Sequence, residues 1–127
     1  MGEPKSTDAT PNLSDPLTLH HSDTSGLTLV NEQLKGHNYG QWSRFIRLSL
    51  SAKNKLGLID GSIKAPSSTD TKFPTWQRCN DMVLSWILHS IHLDIARSVL
   101  FYDTAAGVWS DLKDRFSQGN DSRIYQI

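Results

Sequence analysis

Apolar residues recur at helical spacings of three and four along most of the chain that follows Asn38. The first such stretch begins directly after Asn38, a suitable N-cap residue, and we expect its helix to end near Asn54. The face of this helix predicted to be buried consists of Tyr39, Trp42, Phe45, Ile46, Ser49, Leu50 and Lys53. A second, clearer stretch starts at Pro74, because proline suits the first position of a helix. Its predicted apolar face consists of Trp76, Cys79, Val83, Trp86, Ile87, Ser90 and Ile91.

Two more helices are predicted towards the end of the chain. A short third helix is predicted from the apolar residues Leu93, Ile95, Ala96, Val99 and Leu100. Asp94 lies in its first turn, where a negative charge is stabilising. Asp103 or Thr104 is expected to cap a fourth helix that ends at Gly119, and residues 120–127 resemble the start of a fifth. The apolar face of the fourth helix consists of Ala105, Val108, Trp109, Leu112 and Phe116. The pattern therefore predicts an all-α bundle of four to five helices, with a turn at Gly61 and a surface loop at residues 64–72.

The first 26 residues have a different composition from the rest. They contain eight Ser or Thr residues, three of the five prolines and no aromatic residue. Such a segment buries too little apolar surface to offset its loss of conformational entropy. We therefore predict a disordered polar tail at residues 1–26. A helical domain at residues 27–127 follows, and it opens with a short extended segment, Leu27–Val30.

The formal charge is zero, since 13 Lys and Arg balance 13 Asp and Glu. The balance gives the whole chain no electrostatic reason to bind nucleic acid strongly. The tail is acidic, however, so the helical domain carries the basic excess. The first helix offers a weak basic face for RNA or DNA, made of Arg44, Arg47, Lys53 and Lys55. About four positive charges release few counterions, and a solvated helix face explains them equally well.

No combination of residues predicts catalysis or a cofactor. Asp103-Thr104-Ala105 is similar to the catalytic loop of retroviral-type aspartic proteases, but alanine replaces the required glycine and a helix follows at once. His89 and His92 share a helix face with too few further ligands for a metal site. Cys79 lies on an apolar stripe, as expected of a buried structural thiol. We therefore predict no enzyme activity, metal, cofactor or small-molecule substrate.

No segment has the composition of a secretory signal or a membrane span. The expectation is a cytoplasmic protein with no membrane partner.

Six spaced blocks, in one order, resemble the N-terminal Gag region of plant copia-type retrotransposons. The blocks are Leu27–Val30, Leu34–Trp42, Ala52–Gly61, Trp76–Trp86, Asp103–Ala105 and Val108–Asn120, and the resemblance covers about residues 17–127. The residues that carry the family motif and core are Asn38, Tyr39, Trp42, Gly61, Trp76, Val83, Trp86, Trp109, Leu112 and Phe116. Gly107 departs from the pattern, because the family usually has a helix-favouring polar residue at this position.

The resemblance implies a capsid-like structural domain that self-associates into a shell around element RNA. Its partners are then other copies of itself or other Gag chains, and weakly the RNA. Family members continue to a zinc knuckle with three cysteines, which a chain with the single cysteine Cys79 does not contain. The expectation is thus a fragment or relic of a longer Gag polyprotein, truncated at the C-terminal end of the domain.

Overall fold

The computed structural model describes residues 14–19 and 30–125, without the side chains of residues 118–125. Most of the predicted tail (residues 1–13 and 20–26), residues 27–29 of the predicted extended segment and the last two residues lie outside this range. The described residues form five helices and no strand: α1 Tyr39–Ala52, α2 Gly57–Asp60, α3 Phe73–His89, α4 Leu93–Val99 and α5 Ala105–Tyr125. This confirms the predicted all-α bundle. No helix in the described part of the chain is long and apolar enough to cross a bilayer.

Helix α5 is the centre of the bundle, since it packs against α1, α2 and α3. The indole rings of Trp42 in α1 and Trp109 in α5 stack with their centroids 5.5 Å apart. Trp86 of α3 is fully buried in the same core. Large aromatic side chains from three helices thus fill the centre of a small domain, where each buries a large apolar area.

The end of α3 is joined to the segment before α1 by one isolated parallel β-bridge, between Leu34 and Ile91. The Leu34 amide donates to the Ser90 carbonyl at 3.0 Å, and the His92 amide donates to the Leu34 carbonyl at 2.9 Å. The indole Nε1 of Trp42 donates to the same Ser90 carbonyl at 2.8 Å. These bonds fix α1 against the α3–α4 connection.

Three helix boundaries differ from the prediction. Gly119 does not end α5, which continues through the predicted fifth helix to Tyr125, because one glycine costs a helix only about 1 kcal/mol. The apolar run before Gly61 forms the one-turn helix α2 rather than a turn alone. Gly61 follows α2 in the left-handed conformation at φ 86°, which glycine adopts without strain. Pro74 is the second residue of α3, which begins at Phe73.

Residues 14–19, here called the strap, lie against the helical core although they fall within the predicted disordered tail. Leu17 and Leu19 pack on the core cluster. The Leu17 amide donates to the Asp15 carboxylate at 2.9 Å, which closes a local turn. Two leucines and the main-chain carbonyls of these six residues make contacts that composition alone does not reveal.

Candidate interaction surface

The predicted basic face of α1 does not form a continuous surface. Arg44 and Arg47 are exposed, but Lys55 is only 1% exposed. The Lys55 Nζ donates to the Thr18 carbonyl at 2.8 Å, so it is directed into the protein. Lys53 lies with its Nζ 5.6 Å from the centroid of the Trp86 ring. Lys55 is therefore not available to bind nucleic acid, because the strap covers it.

The predicted buried face of α1 is narrower than expected. Trp42, Ile46 and Leu50 are buried, whereas Phe45 is 52% exposed. At 100° per residue, Phe45 lies about 100° around the helix from the centre of the buried stripe. Leu48 is exposed to the same extent. The two side chains form a small patch, which we call the Phe45–Leu48 patch. Phe45, Trp42 and Val30 also contribute the apolar walls of a shallow cavity of about 370 Å³.

The other residues of the predicted family motif serve the core or the turns around it. Tyr39, Trp76, Val83, Trp86, Trp109 and Leu112 are buried. Phe116 is half-buried against the core. Asn38 occupies the N-cap position of α1 without capping the helix. Its side chain instead accepts from the Lys35 amide at 2.8 Å and donates to the Gln33 carbonyl at 2.9 Å, which shapes the loop before the helix.

The residues considered for metal binding or catalysis have structural contacts. The buried thiol of Cys79 donates to the Leu17 carbonyl at 3.3 Å. His89 Nδ1 lies 2.8 Å from the Ser85 carbonyl of its own helix, and His92 caps α4 by accepting from the Asp94 amide. The described residues contain no group of three His, Cys, Asp or Glu placed to hold a metal ion.

The segment from Asp103 to Ala105 starts α5, as the helix-cap interpretation predicted. Thr104 Oγ1 accepts from the Gly107 amide at 3.0 Å. The side chain of Asn80 in α3 adds a contact that the sequence analysis missed: its amide donates to the Asp103 carbonyl and accepts from the Ala105 amide, both at 2.9 Å. The signal was present, since Asn80 falls four residues after Trp76 and three before Val83, on the buried stripe of α3.

Among the described residues, the large apolar side chains with the highest exposed fractions lie at the start of α4 and in the two residues after it. Leu93 is 58% exposed, Leu100 61% and Phe101 71%. Leu93 and the exposed Arg97 share one side of α4, and Leu100 and Phe101 follow directly after the helix ends at Val99. We call this surface the Leu93–Phe101 face. The pattern had assigned Leu93 and Leu100 to the apolar side of the third helix, but the core contacts of α4 come from Ala96 and Val99 instead.

The aromatic ring at the end of this face is held by a chain of contacts. Phe101 stacks on Tyr102 with ring centroids 4.3 Å apart. The Tyr102 hydroxyl donates to the Asp111 carboxylate at 2.7 Å. Arg115 donates to the same carboxylate at 2.7 Å and to the Ser98 hydroxyl at 2.9 Å. The exposed ring is thus positioned before any partner arrives, which reduces the entropy lost on binding.

The hydrogen bond within this cluster shifts the acidity of both partners. The bond to the Asp111 carboxylate, with a smaller contribution from burial, raises the pKa of Tyr102 above its ordinary value. The bond from Tyr102, together with the bond from Arg115, lowers the pKa of Asp111. Each shift stabilises the protonation state that neutral pH already favours, so the cluster is complete under physiological conditions.

Gly107 lies in the first turn of α5, close to the ring of Tyr102. A Cβ atom at this position would lie 2.8 Å from Cδ1 of Tyr102 and 3.0 Å from Oγ1 of Thr104. Contacts to a ring carbon this short force the ring to move. Glycine at position 107 therefore leaves room for the tyrosine that supports Phe101.

No curated protein and no solved structure matched the chain. Residues 20–67 match a family model described as Gag-polypeptide of LTR copia-type. The matched segment includes α1, α2 and the family-motif residues Asn38, Tyr39, Trp42 and Gly61. Over these residues the chain is similar to the Gag polypeptides of copia-type LTR retrotransposons, and the match supports the resemblance drawn from the motif order.

Proposed function

We propose that this chain is a structural, Gag-type subunit that self-associates through the Leu93–Phe101 face. The observation that carries the proposal is the pre-positioned Phe101 ring, which is largely exposed yet stacked on a tyrosine fixed by Asp111. Exposed aromatic side chains held in one conformation are typical anchors of protein interfaces. The match of residues 20–67 to a Gag family model supports a structural role rather than a catalytic one.

The occupant of this face is a second copy of the chain. The formal charge of zero removes long-range repulsion between copies. Arg97 and Asp94 lie beside the apolar residues on α4 and carry opposite charges, which suits a surface that meets its own copy. The plant origin and the capsid-like shell implied by the resemblance, and the cytoplasmic location expected from the sequence composition, belong to the same proposal.

Nucleic-acid binding by α1 stays a prediction with less support than self-association. Only Arg44 and Arg47 of the four cations named for it are fully accessible.

The test replaces Phe101 with serine and measures self-association by light scattering and sedimentation. The wild-type chain is expected to form concentration-dependent oligomers that survive nuclease treatment. Phe101→Ser is expected to raise the concentration needed for association by at least about tenfold, the effect of losing a central interface residue. Its urea midpoint should stay close to that of the wild type, because Phe101 contributes little to the core.

The matched control is Leu48→Ser, which removes an exposed apolar side chain from a different surface. This variant is expected to associate like the wild type. A wild-type chain that stays monomeric at high concentration would contradict the proposal, as would an equal loss of association in both variants. Oligomers that dissolve on nuclease treatment would indicate RNA-mediated association instead.

A further inference from the structure

Three side chains of the core recognise the main chain of the strap. Asn54 Nδ2 donates to the Ser14 carbonyl at 3.0 Å, Lys55 Nζ to the Thr18 carbonyl at 2.8 Å and Cys79 Sγ to the Leu17 carbonyl at 3.3 Å. We call these three donors the strap site. Its donors come from the residues after α1 and from the middle of α3. Leu17 and Leu19 add apolar contacts to the core. The strap is thus bound as a peptide ligand is bound, through carbonyls and two apolar side chains.

The strap site depends on its occupant because of Lys55. This side chain is 1% exposed, and among the described residues both acceptors of its Nζ are backbone carbonyls, Thr18 at 2.8 Å and Lys53 at 3.4 Å. Without the strap, the ammonium keeps only the longer bond and must take its remaining partners from water. Because the strap covers Lys55, the ammonium is hydrated when the strap leaves, and the Thr18 carbonyl replaces part of that hydration when a strap docks. The site therefore accepts any docked strap that presents the same carbonyls and leucines.

The segment between the strap and the rest of the described chain is long enough to matter for exchange. Ten residues, 20–29, join Leu19 to Val30. A segment of that length spans up to about 33–36 Å when extended, which is comparable to the diameter of a domain of about 100 residues. The linker is therefore long enough to let the strap reach a copy that packs directly against its own. The bonds formed there are the same as those formed within one chain, so exchange has little cost once copies are close together.

We propose that assembled copies exchange straps, so that residues 14–19 of one copy occupy the strap site of a second copy. This inference rests on the proposed self-association, which supplies the high local concentration that exchange requires. The exchanged strap then links copies independently of the Leu93–Phe101 face.

The experiment uses Cys79 as a reporter of strap docking, in mixtures of full-length variants. The recipient is Leu17→Ser/Leu19→Ser, whose own strap has lost its apolar anchors. Its Cys79 is expected to react with a water-soluble maleimide at least about tenfold faster than in the wild type, since labelling follows local opening. The donor is Lys55→Met/Cys79→Ala, which keeps an intact strap but has a weakened strap site and no thiol.

Adding the donor is expected to slow recipient labelling back towards the wild-type rate. The matched control is a donor that also carries Leu17→Ser/Leu19→Ser, which should leave labelling fast. Circular dichroism checks that every variant is folded, and Leu19→Ser alone replaces the double variant as recipient if that chain fails the check.

Two results would overturn strap exchange. One is a recipient that labels no faster than the wild type, because the strap would then not protect Cys79. The other is equal labelling with donor and control donor at concentrations where the wild type forms oligomers by light scattering. In the second case self-association stands and only the exchange fails, whereas absence of wild-type oligomers would contradict the proposed function itself.

Discussion

At the scale of single residues, Asn80 illustrates how a polar side chain can organise an apolar core. Its amide binds both the Asp103 carbonyl and the Ala105 amide, and it is 1% exposed. The Ala105 amide belongs to the first turn of α5, where backbone N–H groups lack partners within the helix. Asn80 therefore connects α3 to the start of the central helix.

Replacing Asn80 with alanine is expected to lower the free energy of unfolding by about 1–3 kcal/mol, because a buried donor and a buried acceptor lose their partner. Urea titration followed by tryptophan fluorescence measures the change. Arg78→Ala, an exposed position on the same helix, is the control and should stay within about 0.5 kcal/mol of the wild type. Equal losses of stability in the two variants would show that the two hydrogen bonds of Asn80 do not stabilise the fold.

The bond between Tyr102 and Asp111 predicts a pH-dependent contribution to stability. The folded chain lowers the pKa of Asp111 below its ordinary value of 3.8. The contribution is therefore complete above the unfolded value and is lost as pH falls through the lower, folded pKa. The raised pKa of Tyr102 has the opposite consequence. That contribution is complete below its ordinary value of 10.0 and is lost as pH rises through the folded pKa.

The variant Tyr102→Phe removes the hydroxyl and keeps the ring that stacks on Phe101. The difference in unfolding free energy between wild type and variant is expected to be constant near neutral pH and to shrink as pH falls below about 4. Chemical denaturation at a series of pH values measures this difference. A difference that stays unchanged down to pH 2 would contradict the assigned bond.

At the scale of helices, the apolar period locates the four longer elements, because each has a buried stripe of several residues. It does not locate α2, whose four residues from Gly57 to Asp60 are too short for a period. The apolar period also places Phe45 on the buried face of α1, although it is exposed. The period does not show how wide a part of a helix the neighbouring helices cover. The end of α5 is also not predicted from the sequence, because the helix continues past Gly119 to Tyr125 although glycine often ends a helix.

A substitution at Gly107 tests the close packing at the start of α5. Glycine to alanine within a helix usually stabilises by up to about 1 kcal/mol, but a Cβ atom at position 107 would collide with Tyr102. Gly107→Ala is therefore expected to destabilise the protein, as measured by the urea midpoint. Gly40→Ala, at an exposed position of α1, is the control and should be neutral or stabilising.

A second variant identifies the cause of that effect. In a Tyr102→Ala background the contact with the ring is absent and only the 3.0 Å contact with Oγ1 of Thr104 remains, so Gly107→Ala should be less destabilising than in the wild type. If Gly107→Ala destabilises equally in both backgrounds, the tyrosine ring is not the reason for the glycine.

At the scale of the whole molecule, the helical class and most of the core residues follow from the sequence, while the surfaces depend on contacts between distant segments. Lys55 appears on the polar side of α1 in the pattern, yet the strap, 37 residues away, buries it. Leu93 and Leu100 read as core positions, yet they are exposed because α4 is short and uses Ala96 and Val99 to pack. Periodicity describes one segment at a time, so it predicts neither the burial of Lys55 nor the exposure of the two leucines.

The central position of α5 also affects the order in which the protein matures. A nascent chain emerges from its N-terminal end, and α1, α2 and α3 all precede the helix against which they pack. The ring of Trp42 meets Trp109 only after 67 further residues have been synthesised. Until then the apolar sides of three helices lack their partner. Among the described helices, the last to leave the ribosome is therefore the one that completes the bundle, and apolar surface from the earlier helices is exposed to chaperones until it arrives.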